Sequence, residues 1–127
     1  MEYADATFDF VFGISVFTHL PEELQLEWLA ELHRVTQPGG YLVLTTHGEG
    51  HYAKLLSATQ LETMSTVGFL YVDTGYGQTI ELPSFYQTAF HSEAYIRSTW
   101  SHVFEVVDVL VPGPTGHQDL VLLRKRG

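Results

Sequence analysis

The chain has 127 residues, 45% of them hydrophobic, which is enough for one globular domain with a substantial core. Six Lys and Arg against fifteen Asp and Glu give a formal net charge of -9, which disfavours nucleic acid and anionic membrane surfaces as partners. The absence of Cys excludes disulfides and thiolate metal sites. There is neither an apolar run near the roughly 20 residues of a membrane span nor a basic N-terminal region, so we expect a soluble, cytoplasmic protein.

A strand, a helix and a second strand are predicted in the first third of the chain. Residues 8–15 are almost continuously apolar, which is typical of a strand buried on both faces. A helix is expected to begin at Pro21 and to end before residues 38–40 (Pro-Gly-Gly). Its apolar stripe comprises Leu24, Trp28, Leu32 and Val35, with Leu29 beside them. With a strand at 41–46, this order predicts a right-handed βαβ unit whose two strands are parallel.

The remaining segments complete an α/β chain without internal repeats, which we interpret as one domain over residues 1–127. Residues 52–64 are predicted to form one helix or two short ones, and Ser92 is the expected N-cap of a helix over 93–102. Strand-like composition recurs in four segments: residues 69–72, 85–90, 103–111 and 119–123. The last two are joined by a short loop, so we expect them to pair antiparallel.

Several segments, in the same order, resemble class I S-adenosylmethionine-dependent methyltransferases. They are the approach to strand four (3–11), the segment after it (15–20), the helix-to-strand-five junction (31–35 and 38–42) and the closing strands six and seven (104–107 and 118–121). The resemblance implies a partial Rossmann-like methyltransferase fold, a mixed sheet in the order 4-5-7-6 with flanking helices. The family's glycine loop after strand one and its acidic residue after strand two have no counterpart here. The chain is therefore expected to be the C-terminal half of such a protein.

Ligands of open α/β sheets bind at the carboxyl ends of the strands. The resemblance implies that residues 15–20 line the methionine and sulfonium region of S-adenosylmethionine. The predicted cofactor contacts are Ser15, Val16, Phe17, His19 and Leu20. The alternative is that the apolar members of this set pack against the following helix and that His19 bonds a neighbour at the helix start.

Two histidines after the second strand are the candidate catalytic residues. His47 and His51 have the i, i+4 spacing that brings side chains together on a helix, but Gly48 and Gly50 argue against a helix there. No Glu or Cys completes a ligand set, so no metal site is predicted. Either histidine is a candidate to face the substrate or to act as a general base. The surrounding residues 48–91 are interpreted as an irregular insertion, which forms either a substrate lid or a satellite hydrophobic cluster.

Two functions remain open at this stage. The first is a methyltransferase acting on a small molecule when complete, with this chain inactive alone and not expected to bind S-adenosylmethionine by itself. The second is a non-catalytic interaction module derived from the same fold. Loss of the preceding strands would make strand four an edge, so we expect a homodimer through residues 8–14, with strand four antiparallel to its copy.

Overall fold

The computed structural model describes residues 2–73, 87–113 and 118–127. In chain order, the elements are β1 (Phe8–Gly13), a 3₁₀ turn (Phe17–His19), α1 (Glu22–Val35), β2 (Thr36–Thr46), α2 (Glu49–Tyr52), α3 (Ala58–Thr66), β3 (Phe69–Val72), β4 (Thr88–His91), α4 (Glu93–Thr99), a second 3₁₀ turn (Trp100–His102), β5 (Glu105–Leu110) and β6 (Asp119–Arg124). No helix in these ranges has the length and apolar character needed to cross a membrane.

The main sheet has four strands in the order β1-β2-β6-β5. β1 and β2 are parallel, whereas β6 runs antiparallel to both β2 and β5. This is the predicted order 4-5-7-6, so the mixed sheet and its flanking helices are confirmed. β3 and β4 form a separate antiparallel pair.

β1 lies at the edge of the main sheet and ends at Gly13, two residues earlier than predicted. Val11 packs against the core, but the opposite face is open: Phe10 is 54% exposed and Phe12 is 68% exposed. Within the described part of the chain, β1 pairs only with β2. The strand whose sequence is typical of burial on both faces is thus covered on one face only, and two aromatic side chains lie on its exposed face.

α1 begins after Pro21 and carries Glu22 and Glu23 in its first turn, where carboxylates favour the helix dipole. The predicted apolar stripe is wrong at one position, because Trp28 is 36% exposed while Gln25 is 1% exposed. Successive helical residues are rotated by about 100°, so a face centred on Leu29 and Leu32 includes position 25 and leaves position 28 at its side. The centre of the buried helix face therefore contains an amide.

β2 starts at Thr36, directly after α1, rather than at residue 41. The extra residues disturb its pairing with β1, where the register shifts between Phe8 and Phe10. Gly39 has a φ of +81° within this bulge, a conformation that glycine adopts at little cost. Lys125 donates from Nζ to the carbonyls of His33 and Thr36, which stabilises the carboxyl end of α1.

The described parts of residues 48–91 contain α2, α3 and the β3–β4 pair. The two-helix alternative is therefore confirmed for this region. Tyr52, Met64 and Phe90 form a small hydrophobic cluster of their own, separate from the main core. Residues 85 and 86 of the strand predicted over 85–90 lie outside the described residues. Ser92 caps α4 as predicted, accepting a hydrogen bond from the Tyr95 backbone. The assignment of residues 1–127 to one domain stays a prediction.

Candidate functional site

Because β1 and β2 are parallel, their carboxyl ends lie side by side and form the sheet edge at which the site lies, as distinct from the lateral edge along β1. β6 is antiparallel to β2, so its first residue, Asp119, pairs with Thr46 at the same edge. The 3₁₀ turn after β1 contacts β2 and β4 here. The fold thus gathers the segments that the sequence predicted to bind ligands.

Ser15 is held in a fixed position at this edge. It has a φ of +58°, its N–H donates to Thr45 Oγ1 at 2.9 Å, and its Oγ accepts from Gln118 Nε2 at 2.9 Å. A left-handed conformation is uncommon for a residue with a side chain and persists where surrounding bonds hold it. Neither Thr45 nor Gln118 was singled out in the sequence, since a hydroxyl in a strand and an amide before a strand give no periodic signal.

The five predicted cofactor contacts divide into two groups. Phe17 and Leu20 are buried in the main core, where the Phe17 ring meets Trp100 in an edge-on arrangement with centroids 5.5 Å apart. Val16 is exposed, whereas Ser15 and His19 are partly buried at the sheet edge. The side chains that this segment offers to a ligand are therefore those of Ser15, Val16 and His19.

Three histidines meet beside this segment. The ring centroids of His47 and His51 lie 4.7 Å apart, and those of His19 and His47 lie 6.0 Å apart. The inference that glycines exclude a helix here is wrong, because α2 begins at Glu49 and contains Gly50 and His51. The rings border a cavity of about 420 Å³, which is lined by His19, His47, His51, Leu55, Thr88, Phe90 and Gln118.

Burial keeps His47 neutral. Desolvation, followed by the charges of the neighbouring His51 and His19, lowers its pKa to about 4, and a hydrogen bond with the Ala89 backbone acts in the opposite direction. His19 Nδ1 lies 2.8 Å from the Gln87 carbonyl, an acceptor, so Nδ1 carries the proton in that bond. In the described ranges, no three His, Asp or Glu side chains are arranged to hold a metal ion.

A buried hydrogen-bond network supports the 3₁₀ turn from below. Gln25 Nε2 donates to the carbonyls of Phe17 and Leu20 at 3.0 and 2.7 Å. Because the amide nitrogen donates to these two carbonyls, the amide oxygen Oε1 faces His91 and accepts a hydrogen bond from His91 Nε2 at 2.7 Å. Burial, with a smaller contribution from His47, lowers the pKa of His91 to about 3, so the imidazole is neutral and its proton is on Nε2.

Asp119 lies at the same end of the sheet, paired with Thr46 and next to Gly48. It is buried, and desolvation, followed by the charges of Glu93 and Glu49, raises its pKa to about 6. The backbone of Gly48 lies so close that a Cβ there would stand 1.7 Å from Asp119 Oδ2. Only glycine fits before α2 without displacing that carboxyl group.

The comparisons with known proteins agree with this architecture. Residues 1–44 match the model of a family described as Methyltransferase domain. None of the curated proteins matches the sequence. The fold is similar to an S-adenosylmethionine-dependent methyltransferase from Methanosarcina mazei, with a TM-score of 0.61, 20% identity and coverage of 99% of this chain and 63% of that chain.

Two further crystal structures share the fold. One is 1,6-didemethyltoxoflavin-N1-methyltransferase from Burkholderia thailandensis, bound to 1,6-didemethyltoxoflavin and S-adenosylhomocysteine. Its TM-score is 0.66 at 15% identity, covering 98% of this chain and 47% of that chain. The other is an S-adenosylmethionine-dependent methyltransferase from Thermotoga maritima, with a TM-score of 0.55, 16% identity and coverage of 99% and 59%. The chain thus has the fold of these enzymes and spans about half to two-thirds of their length.

The network below the turn gives a test of stability. Gln25→Leu keeps the side-chain size but leaves two carbonyls and the His91 N–H without their partner, so we expect a loss of about 3 kcal/mol in the free energy of unfolding. Gln37→Leu, an exposed position on β2, is the control and is expected to change it by less than about 0.5 kcal/mol. Urea unfolding of both variants measures the difference. Equal stabilities would contradict the role of Gln25.

Proposed function

We propose that this chain forms the acceptor-facing part of a methyltransferase acting on a small molecule. Its fold is that of class I S-adenosylmethionine-dependent methyltransferases. The observation that carries this proposal is the histidine-lined cavity at the carboxyl ends of β1 and β2, which is bordered by His19 and by Gln118, the residue that bonds Ser15. Its volume of about 420 Å³ suits a small acceptor. We further propose a cytoplasmic location, because a sequence without Cys has no need of an oxidising compartment.

The residues present fit one wall of a cofactor site. Ile14 and Val16 expose apolar side chains, and Ser15 adds a fixed hydroxyl beside them. Residues 13–20 contain no acidic side chain, so this wall supplies no carboxylate for the ribose hydroxyls. We therefore assign Ser15, Val16 and His19 to side-chain contact with S-adenosylmethionine, and Phe17 and Leu20 to holding the turn in place.

Bound S-adenosylmethionine would supply a methyl group on a sulfonium, from which the neutral thioether of S-adenosylhomocysteine is a good leaving group. The task of this chain is then to orient the acceptor and to exclude water. His47, with a pKa of about 4, is too weak a base to take a proton effectively near neutral pH. Of the two catalytic candidates, we assign proton acceptance to His51 and positioning of the acceptor to His47.

The 127-residue chain alone is expected not to bind the cofactor usefully, since it provides one wall and no glycine loop. Calorimetry with S-adenosylmethionine and S-adenosylhomocysteine measures this directly. We expect dissociation constants weaker than about 1 mM. A micromolar constant would contradict the assignment of the chain to the acceptor-facing part.

The same test extends to a longer protein, if the coding sequence upstream of Met1 contains an in-frame strand, glycine loop and helix. In that protein we expect S-adenosylhomocysteine to bind, and Ser15→Ala and His19→Ala to weaken binding. His102→Ala, which changes a histidine of the second 3₁₀ turn, is the control and is expected to have no effect. If all three variants bind alike, the cofactor is not at residues 15–20.

A second candidate function, a dimerisation module, is favoured by the edge of β1. Phe10, Phe12 and Ile14 are exposed there, beside backbone groups that have no strand partner in the described part of the chain. A second copy of the chain, paired antiparallel across a two-fold axis, would cover these groups and join two four-stranded sheets. For the 127-residue chain alone, we propose a second copy of the chain as the partner, which gives a homodimer.

Sedimentation at about 50 µM tests the dimer, which is expected to form for the wild type. Phe12→Lys adds a charge to the proposed contact and should give a monomer. Leu110→Lys is the control, because Leu110 is also an exposed apolar residue and lies on β5, at the opposite edge of the sheet. A monomeric wild type, or a folded Phe12→Lys dimer, would overturn the proposal.

A further inference from the structure

The cavity at the sheet edge is bordered by a cluster of aromatic rings. The planes of His47, His51 and Phe90 are tilted by only 29° to 40° from one another, with centroids 4.7 to 6.3 Å apart. His19 stands nearly perpendicular to His47, at 89°. Rings at these separations make offset and edge-on contacts. A flat ligand ring in the cavity would extend this cluster, and it would contact the perpendicular ring of His19.

The described part of the cavity lining offers hydrogen bonds but no permanent charge. Of the described residues that border the cavity, none is Lys, Arg, Asp or Glu. His47 is neutral, because burial lowers its pKa to about 4. A charged ligand would lose part of its hydration here, and none of these described residues carries a permanent charge with which it could pair, which is costly. The polar groups present are imidazole nitrogens, the Thr88 hydroxyl and the Gln118 amide, which suit ring nitrogens and oxygens.

We infer that this cavity binds an uncharged, planar heteroaromatic molecule, of one or two rings, as the methyl acceptor. The role as acceptor rests on the proposed methyltransferase function, whereas the binding itself does not require the cofactor. The cavity volume of about 420 Å³ accommodates a molecule of this size. The partly exposed His51 ring provides stacking surface, and Gln118 at the cavity wall offers its amide to the ring heteroatoms.

The test is an NMR titration of the 127-residue chain with quinazolin-4-one, an uncharged planar bicycle, in the absence of cofactor. The imidazole Cε1–H signals of His19, His47 and His51 are expected to move, whereas those of His33 and His102, which lie together at another surface, are expected to stay. Cyclohexanecarboxamide, which is uncharged but not planar, and 2-naphthoate, which is planar but anionic, are expected to bind at least about fivefold more weakly.

Two substitutions at one position separate stacking from chemistry. His51→Phe retains a ring and is expected to keep the affinity for quinazolin-4-one within about twofold. His51→Leu removes the ring and is expected to weaken it by about three- to tenfold. The His33 and His102 signals report whether each variant is folded. Nuclear Overhauser contacts between the ligand and the His51 and Phe90 rings of the wild type provide the same information without any substitution.

Four results would overturn the inference: unchanged His19, His47 and His51 signals, equal binding of the saturated amide, equal binding of 2-naphthoate, or equal affinity in His51→Leu. These outcomes are independent of the cofactor. Failure of a longer protein to bind S-adenosylhomocysteine would remove the methyltransferase proposal and leave the ligand class standing. Failure of this titration would remove the ligand class and leave cofactor binding to its own measurement.

Discussion

The structure depends on a buried amide that joins three elements. Gln25 of α1 donates to the carbonyls of the turn after β1 and accepts from His91 of β4. Both side chains are fully buried, so removing one partner leaves groups that water cannot reach. Because the Gln25 nitrogen is committed to two carbonyls, the orientation of its oxygen and the proton position on His91 are fixed as well.

The histidine-lined cavity is built on this network. The backbone N–H of His91 donates to the backbone carbonyl of His47 at 3.0 Å, so β4 holds His47 beside the end of β2. Phe90, the preceding residue, has its ring 5.7 Å from that of His47. The turn supported by Gln25 carries His19, which closes the cluster from the other side. One buried network therefore positions both the proposed cofactor wall and the proposed acceptor pocket.

Hydrophobic patterning and the family resemblance were sufficient to predict the main sheet and its strand order. They could not place Gln25, because a polar residue inside an apolar helix face is indistinguishable from a surface residue until its hydrogen-bond partners are known. Trp28 was predicted to face inward because it is apolar and falls at helical spacing in the same helix. The strand predicted over residues 85–90 ends before His91, and nothing in the sequence indicates that this histidine is buried. Gly48 and Asp119 are adjacent only after folding. The pairing of His47 with His51 was predicted by spacing but then discounted, since Gly50 is a poor helix former.

The protonation state of His91 tests this account most directly. In a ¹⁵N-labelled chain, NMR of the imidazole nitrogens is expected to show a proton on Nε2 and none on Nδ1. With a pKa of about 3, the ring should stay neutral as the pH falls from 7 to about 5. A proton on Nδ1, or titration near the ordinary pKa of about 6.5, would contradict the network that positions the site.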